Sequence, residues 1–363
     1  MTDGSDRVDV PYTWAQTLRV PIRPPKLVYL DLNHWIELAK TLSGHPDGRS
    51  HAPALAACTD AAAQGRAVFP ISDSIYGEIS KIRQYRRRRD LRLVIEEVSR
   101  FKVVTSRSVI SVHEVEALLD RLVGPNPHPI NSMDYLDWGV ARAFGMAGGF
   151  QVKSATGDDI TDEVRSKHPA GPEAFDLRLA QAELELNRKT IEGPRLDEEP
   201  ELRESGWNPR AALEVSERRA AQEVEQVSRF DDDPRWRRGR IRDVVAAREV
   251  LIEINETLQR GLSERGVKAE EVFTRVEETR GAFDSMPSFD VAVTLKTELH
   301  RDPQHRWTTN DVHDIDALGS TVPYCDIVVT DKAMASHVNH AGLAERLDAV
   351  VISPLADLPA HLE

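Results

Sequence analysis

Short, wholly apolar runs punctuate an otherwise polar chain, and their order sets the first expectation of its architecture. Lys26 to Leu32 reads Lys-Leu-Val-Tyr-Leu-Asp-Leu, an almost unbroken apolar run that suits a central parallel strand covered on both faces. Asp31 stands where that strand should end, and Asn33 is placed to cap the next helix, Trp35 to Lys40. Ala67–Ser72 and Phe101–Thr105 predict two further short strands. Between them the apolar positions shift to helical spacing. They do so over the Ala-rich stretch Ala54–Gln64 behind Pro53 and over a helix carrying Ile75, Glu78, Ile79 and Ile82. Another helix is expected from about Val112 to Leu122. Strand, helices, strand, helix, strand, helix predicts an α/β domain with a parallel sheet.

The pattern then changes. Gly124 to Pro129 is turn-rich, and Met133 to Met146 predicts a helix with Trp138 and Phe144. Residues 147–172 are rich in Gly, Asp and Ser and poor in strand signals. From about 173 to 281, Ala, Glu, Arg and Leu recur at helical spacing, punctuated by Pro194, Pro200, Pro209 and Pro234. Helices are expected near 174–190, 210–229, 238–264 and 268–280. From Phe289 the chain turns apolar again. Val322 to Asp331 predicts a buried strand ending in a carboxylate, and Asp348 to Ser353 a last strand. The expected division is an N-terminal arm (1–25), a first α/β part (26–124), a mostly helical insertion (125–288) and a second α/β part (289–363).

A length of 363 residues allows two domains, or one domain with a large insertion. The net charge of −13 argues against a general polyanion binder, so nucleic-acid contact requires local basic patches. Cys58 and Cys325 lie far apart; they suit a reducing cytoplasm and give neither a disulfide framework nor a thiolate zinc site. No apolar signal core and no run of about 18 apolar residues occurs, so the expected location is cytoplasmic, with no membrane partner.

Candidate chemistry lies in acids at element ends. Asp31 and Asp331 each close an apolar strand run, and ligands of parallel sheets bind beyond the carboxyl ends of strands. Asp311 and Asp314 are three apart and share a helix face. Glu78 falls in the first turns of the helix after the second strand. Carboxylates brought together repel unless a cation joins them, and Mg²⁺ or Mn²⁺ suits an all-oxygen set. The chemistry that follows is metal-assisted phosphodiester hydrolysis. Asp311 could equally serve as an early-turn acid favoured by the helix dipole. Asp316 projects about 200° from Asp314 and is expected in solvent; Asp326 is expected to cap or turn, and His313 to take no part as a base.

In order and local sequence these acids resemble the PIN domain nuclease family. The matching stretches are Val28-Tyr29-Leu30-Asp31-Leu32-Asn33, Ser74-Ile75-Tyr76-Gly77-Glu78-Ile79, Asp314-Ile315-Asp316-Ala317-Leu318 and Ile327-Val328-Val329-Thr330-Asp331-Lys332. The resemblance covers about 26–123 and 290–355 and leaves the helical middle unaddressed. It implies a PIN-like three-layer domain with a central parallel sheet, dependence on Mg²⁺ or Mn²⁺, and cleavage of single-stranded or structured RNA. It also implies Asp31, Glu78, Asp314 and Asp331 as catalytic metal ligands, with Asp311 as an extra ligand or the true third acid. An insertion of this size departs from the family's usual short form.

Two basic stretches stand against the acidic background: Tyr85 with Arg86, Arg87, Arg88 and Arg89, and Arg235-Trp236-Arg237-Arg238-Gly239-Arg240-Ile241-Arg242. Each could grip phosphates, with Tyr85 or Trp236 available to stack on bases. The first begins about two turns after Glu78 on what should be the same helix. Asn33 and Arg86 to Arg89 are the expected substrate contacts. The function expected is a metal-dependent endoribonuclease, by the resemblance of toxin or defence type. The alternatives are an inactive PIN-like scaffold binding RNA or a protein partner, and a Mg²⁺-dependent hydrolase of small phosphates. Against the last, Asp31-Leu32-Asn33 stands where an Asp-x-Asp pair is needed. The helical insertion could carry a homo-oligomer or partner surface.

Overall fold

The computed structural model describes residues 11–22, 25–146, 150–205, 208, 210–232, 235–236 and 239–363. The fold is mixed α/β and about 62% helical. Among the described residues the strands are short: β1 (Leu18–Arg19), β2 (Lys26–Leu30), β3 (Ala67–Val68), β4 (Lys102–Val104), β5 (Met133–Asp134), β6 (Leu136–Trp138), β7 (Ile327–Val329) and β8 (Val350–Ile352). Among the described residues, no helix is long and apolar enough to cross a membrane.

The chain forms two compact units, Met1–Tyr29 with Ser106–Tyr135 and Arg210–Pro354, and Leu30–Thr105 with Leu136–Pro209 and Leu355–Glu363. The span expected as an insertion, 125–288, therefore does not hold together: its parts join different units.

In the first unit β2, β7 and β8 are consecutive strands of one sheet. β7 and β8 run parallel, with Ile327 beside Val350 and Val329 beside Ile352. The starts of β2 and β7 adjoin, because the Asp326 N–H donates to the Leu27 carbonyl at 2.9 Å and the Leu27 N–H to the Asp326 carboxylate at 2.7 Å. Asp326 thus takes the capping role expected of it. The apolar run Val322–Cys325 is buried but turns rather than extends, so the strand is shorter than its hydrophobicity suggests. The helical core of this unit gathers Val115, Leu118, Phe230, Val245, Leu258, Met286, Phe289 and Val293. Within 11–22 the N-terminal stretch is docked rather than a loose arm. β1 pairs with β5, the Thr13 N–H donates to the Ser285 carbonyl at 2.7 Å, and the Tyr12 hydroxyl donates to Asp290 at 2.7 Å.

In the second unit the Asp31-capped helix Leu32–Leu42 buries Leu32, Trp35, Leu38 and Ala39, a stripe at helical spacing. It packs on the Tyr85–Val98 helix, whose Leu91, Val94, Ile95 and Val98 repeat the same spacing. Gly48 lets the following 3₁₀ turn press against the first helix; a Cβ there would lie 2.4 Å from the Thr41 nitrogen. β4 pairs antiparallel with β6, Val103 beside Asp137. That pairing replaces most of the helix expected over Met133–Met146. Gly139, at φ 90°, breaks the run, and only Val140–Ala143 is helical.

Candidate active site

The five expected metal ligands divide between the units: Asp31 and Glu78 in the second, Asp311, Asp314 and Asp331 in the first. Asp31 follows β2 and is the N-cap of Leu32–Leu42, its Oδ1 accepting the Leu32 N–H at 2.6 Å. The cap is therefore Asp31 and not Asn33, which lies exposed in the first turn. Glu78 sits on the Asp73–Ser80 helix, started by Ser72, whose hydroxyl accepts the Ile75 N–H at 3.4 Å. Ile75 and Ile79 anchor that helix inward, one turn apart, and leave Glu78 half-buried.

Asp31 and Glu78 interact. The Glu78 carboxyl is pushed up to about 7, first by burial and then by the negative charge of Asp31, against a smaller opposing effect from Lys81. The positive charge of Lys81 therefore compensates the carboxyl only in part. A carboxyl raised to near neutral pH beside a second carboxylate offers oxygen donors that a divalent cation could use. One or two carboxylates completed by waters and substrate phosphates is also how Mg²⁺ is usually held. Asp31 and Glu78 fit such an ion. Among the described residues, no group of three or more His, Cys, Asp or Glu side chains is arranged to hold a metal.

In the first unit Asp331 caps the Lys332–His340 helix, its Oδ1 accepting from the Ala333 N–H at 2.6 Å and the Met334 N–H at 3.1 Å. Strand–Asp–helix thus occurs twice, at Asp31 and at Asp331. Asp311 is the third residue of Thr309–Thr321 and closes a capping box. Its Oδ2 accepts the Thr308 N–H at 2.6 Å and the Thr308 hydroxyl at 2.8 Å, while His305 Nε2 lies 3.3 Å from Oδ1. Oδ2 of Asp311 is engaged at its own helix start. Asp314 is half-buried one turn further on.

The basic stretch is not one surface. Arg88 is buried and donates to the carbonyls of Ile82, Arg83, Glu192 and Pro194, so it clamps backbone and cannot contact substrate. Tyr85 is also committed, its hydroxyl donating to Glu192 at 2.9 Å and its ring 5.2 Å from the Arg195 guanidinium carbon. Arg86, Arg87 and Arg89 are exposed. These arginines begin a new helix, Tyr85–Val98, rather than extending the Glu78 helix, which ends at Ser80. In the second basic stretch Arg242 is held by Asp284 at 2.6 Å and Asp290 at 2.8 Å, and Arg237 and Arg238 lie outside the described residues.

A second ionic cluster, in the first unit, escaped the sequence reading. Lys296 Nζ lies 2.8 Å from Glu249 and 3.0 Å from Glu223; Glu223 also meets Arg248 at 3.1 Å and His300 Nε2 at 2.9 Å. Arg107 bonds Glu249 and, at 3.1 Å, Asp316, which Arg219 grips with two further hydrogen bonds. Asp316, expected in solvent, is thus a half-buried anchor held by two arginines. Burial opposes ionisation of Glu223, but the His300 hydrogen bond and the charges of Lys296 and Arg248 outweigh it and pull the carboxyl down to about 2. A single π-helical turn, Val250–Ile254, follows Glu249, and a small cleft opens between Arg219, Arg248, Glu253 and Val312. Each of these charges is satisfied by another, so the cluster reads as a framework. Its sequence signal was a lysine and a histidine inside the apolar run after Phe289.

No family model, no curated protein and no solved structure matches the chain.

Proposed function

We propose that this protein is a metal-dependent endoribonuclease of PIN-like architecture, with Asp31 and Glu78 at the centre of its chemistry. The observation that carries this reading is the Glu78 carboxyl held up to about 7 beside Asp31 with its charge only partly compensated. Asp31, oriented by its bond to the Leu32 N–H, presents a carboxylate in a fixed direction. Glu78 can hold or release a proton near neutral pH. Mg²⁺ or Mn²⁺ bound there would lower the pKa of a water and neutralise charge developing on a phosphodiester. Asp314 and Asp331 are candidates by the order of acids along the chain alone. Asp311 is given second place, because its Oδ2 serves the capping box of its own helix.

The test is incubation of full-length protein with single-stranded and hairpin RNA in Mg²⁺ or Mn²⁺. Cleavage should appear, stop on chelation, and be abolished by Asp31→Asn with the fold intact by circular dichroism. RNA that is bound but left whole in every metal would point instead to a non-catalytic scaffold. Hydrolysis of a small phosphate ester with RNA untouched would point to the phosphohydrolase alternative.

A further inference from the structure

We infer that Lys81, Arg83, Arg86, Arg87 and Arg89 form a ridge that binds consecutive phosphodiesters of a polynucleotide strand. This rests on the proposed nuclease reading and specifies how its substrate is held.

All five side chains are exposed and, among the described residues, none makes an ion pair. Several other cations of the same unit are paired. Arg92 pairs with Glu96 at 2.7 Å and Glu192 at 2.9 Å, Arg165 with Asp176 at 2.7 Å, and Arg188 with Glu96. In a chain with 60 acids against 47 Lys and Arg, partners are plentiful, so a run of unmatched cations is unexpected. Its placement is also unfavourable. Arg86 and Arg87 lie in the first turn of Tyr85–Val98, where the helix dipole already concentrates positive charge. That turn contains no acid, and Gln84 provides no side-chain cap. Like charges three apart repel as well. An arrangement disfavoured in the protein alone is relieved when an anion arrives.

A single small anion would need only a few converging donors. These cations instead follow one another along the chain. At one end lies Lys81, the C-cap of the Glu78 helix, whose charge is felt by the Glu78 carboxyl. The ridge therefore starts within electrostatic reach of the proposed chemistry. Arg88, turned inward onto four carbonyls, fixes the backbone from which its neighbours project. Guanidinium groups suit both phosphate contact and stacking on unpaired bases.

The experiment measures binding of a fluorescein-labelled 20-nucleotide RNA, single-stranded and as its duplex, to full-length protein in chelator, where no metal-dependent cleavage occurs. Wild type is compared with Arg83→Gln/Arg86→Gln/Arg87→Gln/Arg89→Gln. A control of equal charge change, Arg203→Gln/Arg229→Gln/Arg275→Gln/Arg280→Gln, alters exposed arginines elsewhere. The ridge variant should bind at least about 10-fold more weakly at 100 mM salt, and its log–log salt slope should fall by about 2–3. The control should stay within about twofold of wild type. Whichever RNA form loses affinity is the form the ridge holds. Unchanged affinity for both forms, or an equal loss in the control, overturns the inference. The two readings fail separately: cleavage surviving Asp31→Asn removes the catalytic proposal while ridge binding can stand, and RNA binding indifferent to the ridge removes this inference while catalysis can stand.

Discussion

Glu78→Gln should make the protein more stable at pH 8 while destroying its proposed activity. In the folded protein the Glu78 carboxyl is pushed up to about 7, by burial and then by Asp31. The unfolded chain releases that proton near pH 4.3. Below that range both states hold the proton and the group contributes nothing. As pH rises toward 7 the folded state retains a proton that the unfolded state has lost, so stability falls, and it levels off above 7. The full shift corresponds to about 4 kcal/mol at about 1.4 kcal/mol per unit. Glu78 is only half-buried, and screening by water reduces this to about 1–3 kcal/mol. Glutamine keeps the shape and never ionises. Chemical denaturation of both proteins between pH 4.5 and 8 should give curves that coincide in acid and separate by that amount at pH 8. Parallel curves would refute the reasoning, because Glu78 would then ionise without penalty. Such a gain in stability at the expense of function is expected where a site holds unfavourable charge for its ligand.

The other predictions concern the framework. Lys296→Met removes the cation shared by Glu249 and Glu223, leaving them to Arg107, Arg248 and His300, and should cost about 1–3 kcal/mol in urea denaturation. Glu223 works in the opposite sense to Glu78. Its carboxyl is pulled down to about 2, so its stabilisation is present above the ordinary carboxyl range and is lost as pH falls toward 2; the stability deficit of Glu223→Gln should shrink over that window. Gly48→Ala brings a Cβ to 2.4 Å from the Thr41 nitrogen and should cost about 1–3 kcal/mol, read as a lowered melting temperature. Arg88→Met strands buried carbonyls and should cost about 2 kcal/mol, whereas Arg87→Met should barely change stability.

Much of the local structure was legible because it depends on near neighbours in sequence. The strand before Asp31, the helix around Glu78, the helix beginning near Asp311 and the long helices after 172 all follow from apolar spacing and capping residues. The identity of the first cap was missed by two residues, since Asp31 and Asn33 are both good caps and only Asp31 reaches the Leu32 N–H. What depended on distant partners was not legible. Asp316 does diverge from Asp314 as helical geometry requires. Its direction leads to Arg107 and Arg219, which are 209 and 97 residues away in sequence. Likewise nothing local distinguishes Arg88 from Arg86, Arg87 and Arg89 until Glu192 and Pro194 arrive from another helix end. Met133–Met146 failed for the same reason: pairing of Leu136–Trp138 with β4 overrode a weak helical pattern already interrupted by Gly139.

The claim on which the functional account depends is that Asp31 and Glu78 together receive a divalent cation. The most direct measurement is the pH titration of the Glu78 carboxyl carbon by ¹³C NMR, assigned by comparison with Glu78→Gln, with and without Mg²⁺. Without the ion the midpoint should lie at about 7. With Mg²⁺ it should fall by at least about one unit, because a nearby cation favours the ionised carboxylate. A carboxyl that titrates in the ordinary glutamate range, or whose midpoint Mg²⁺ leaves unmoved, would contradict the account.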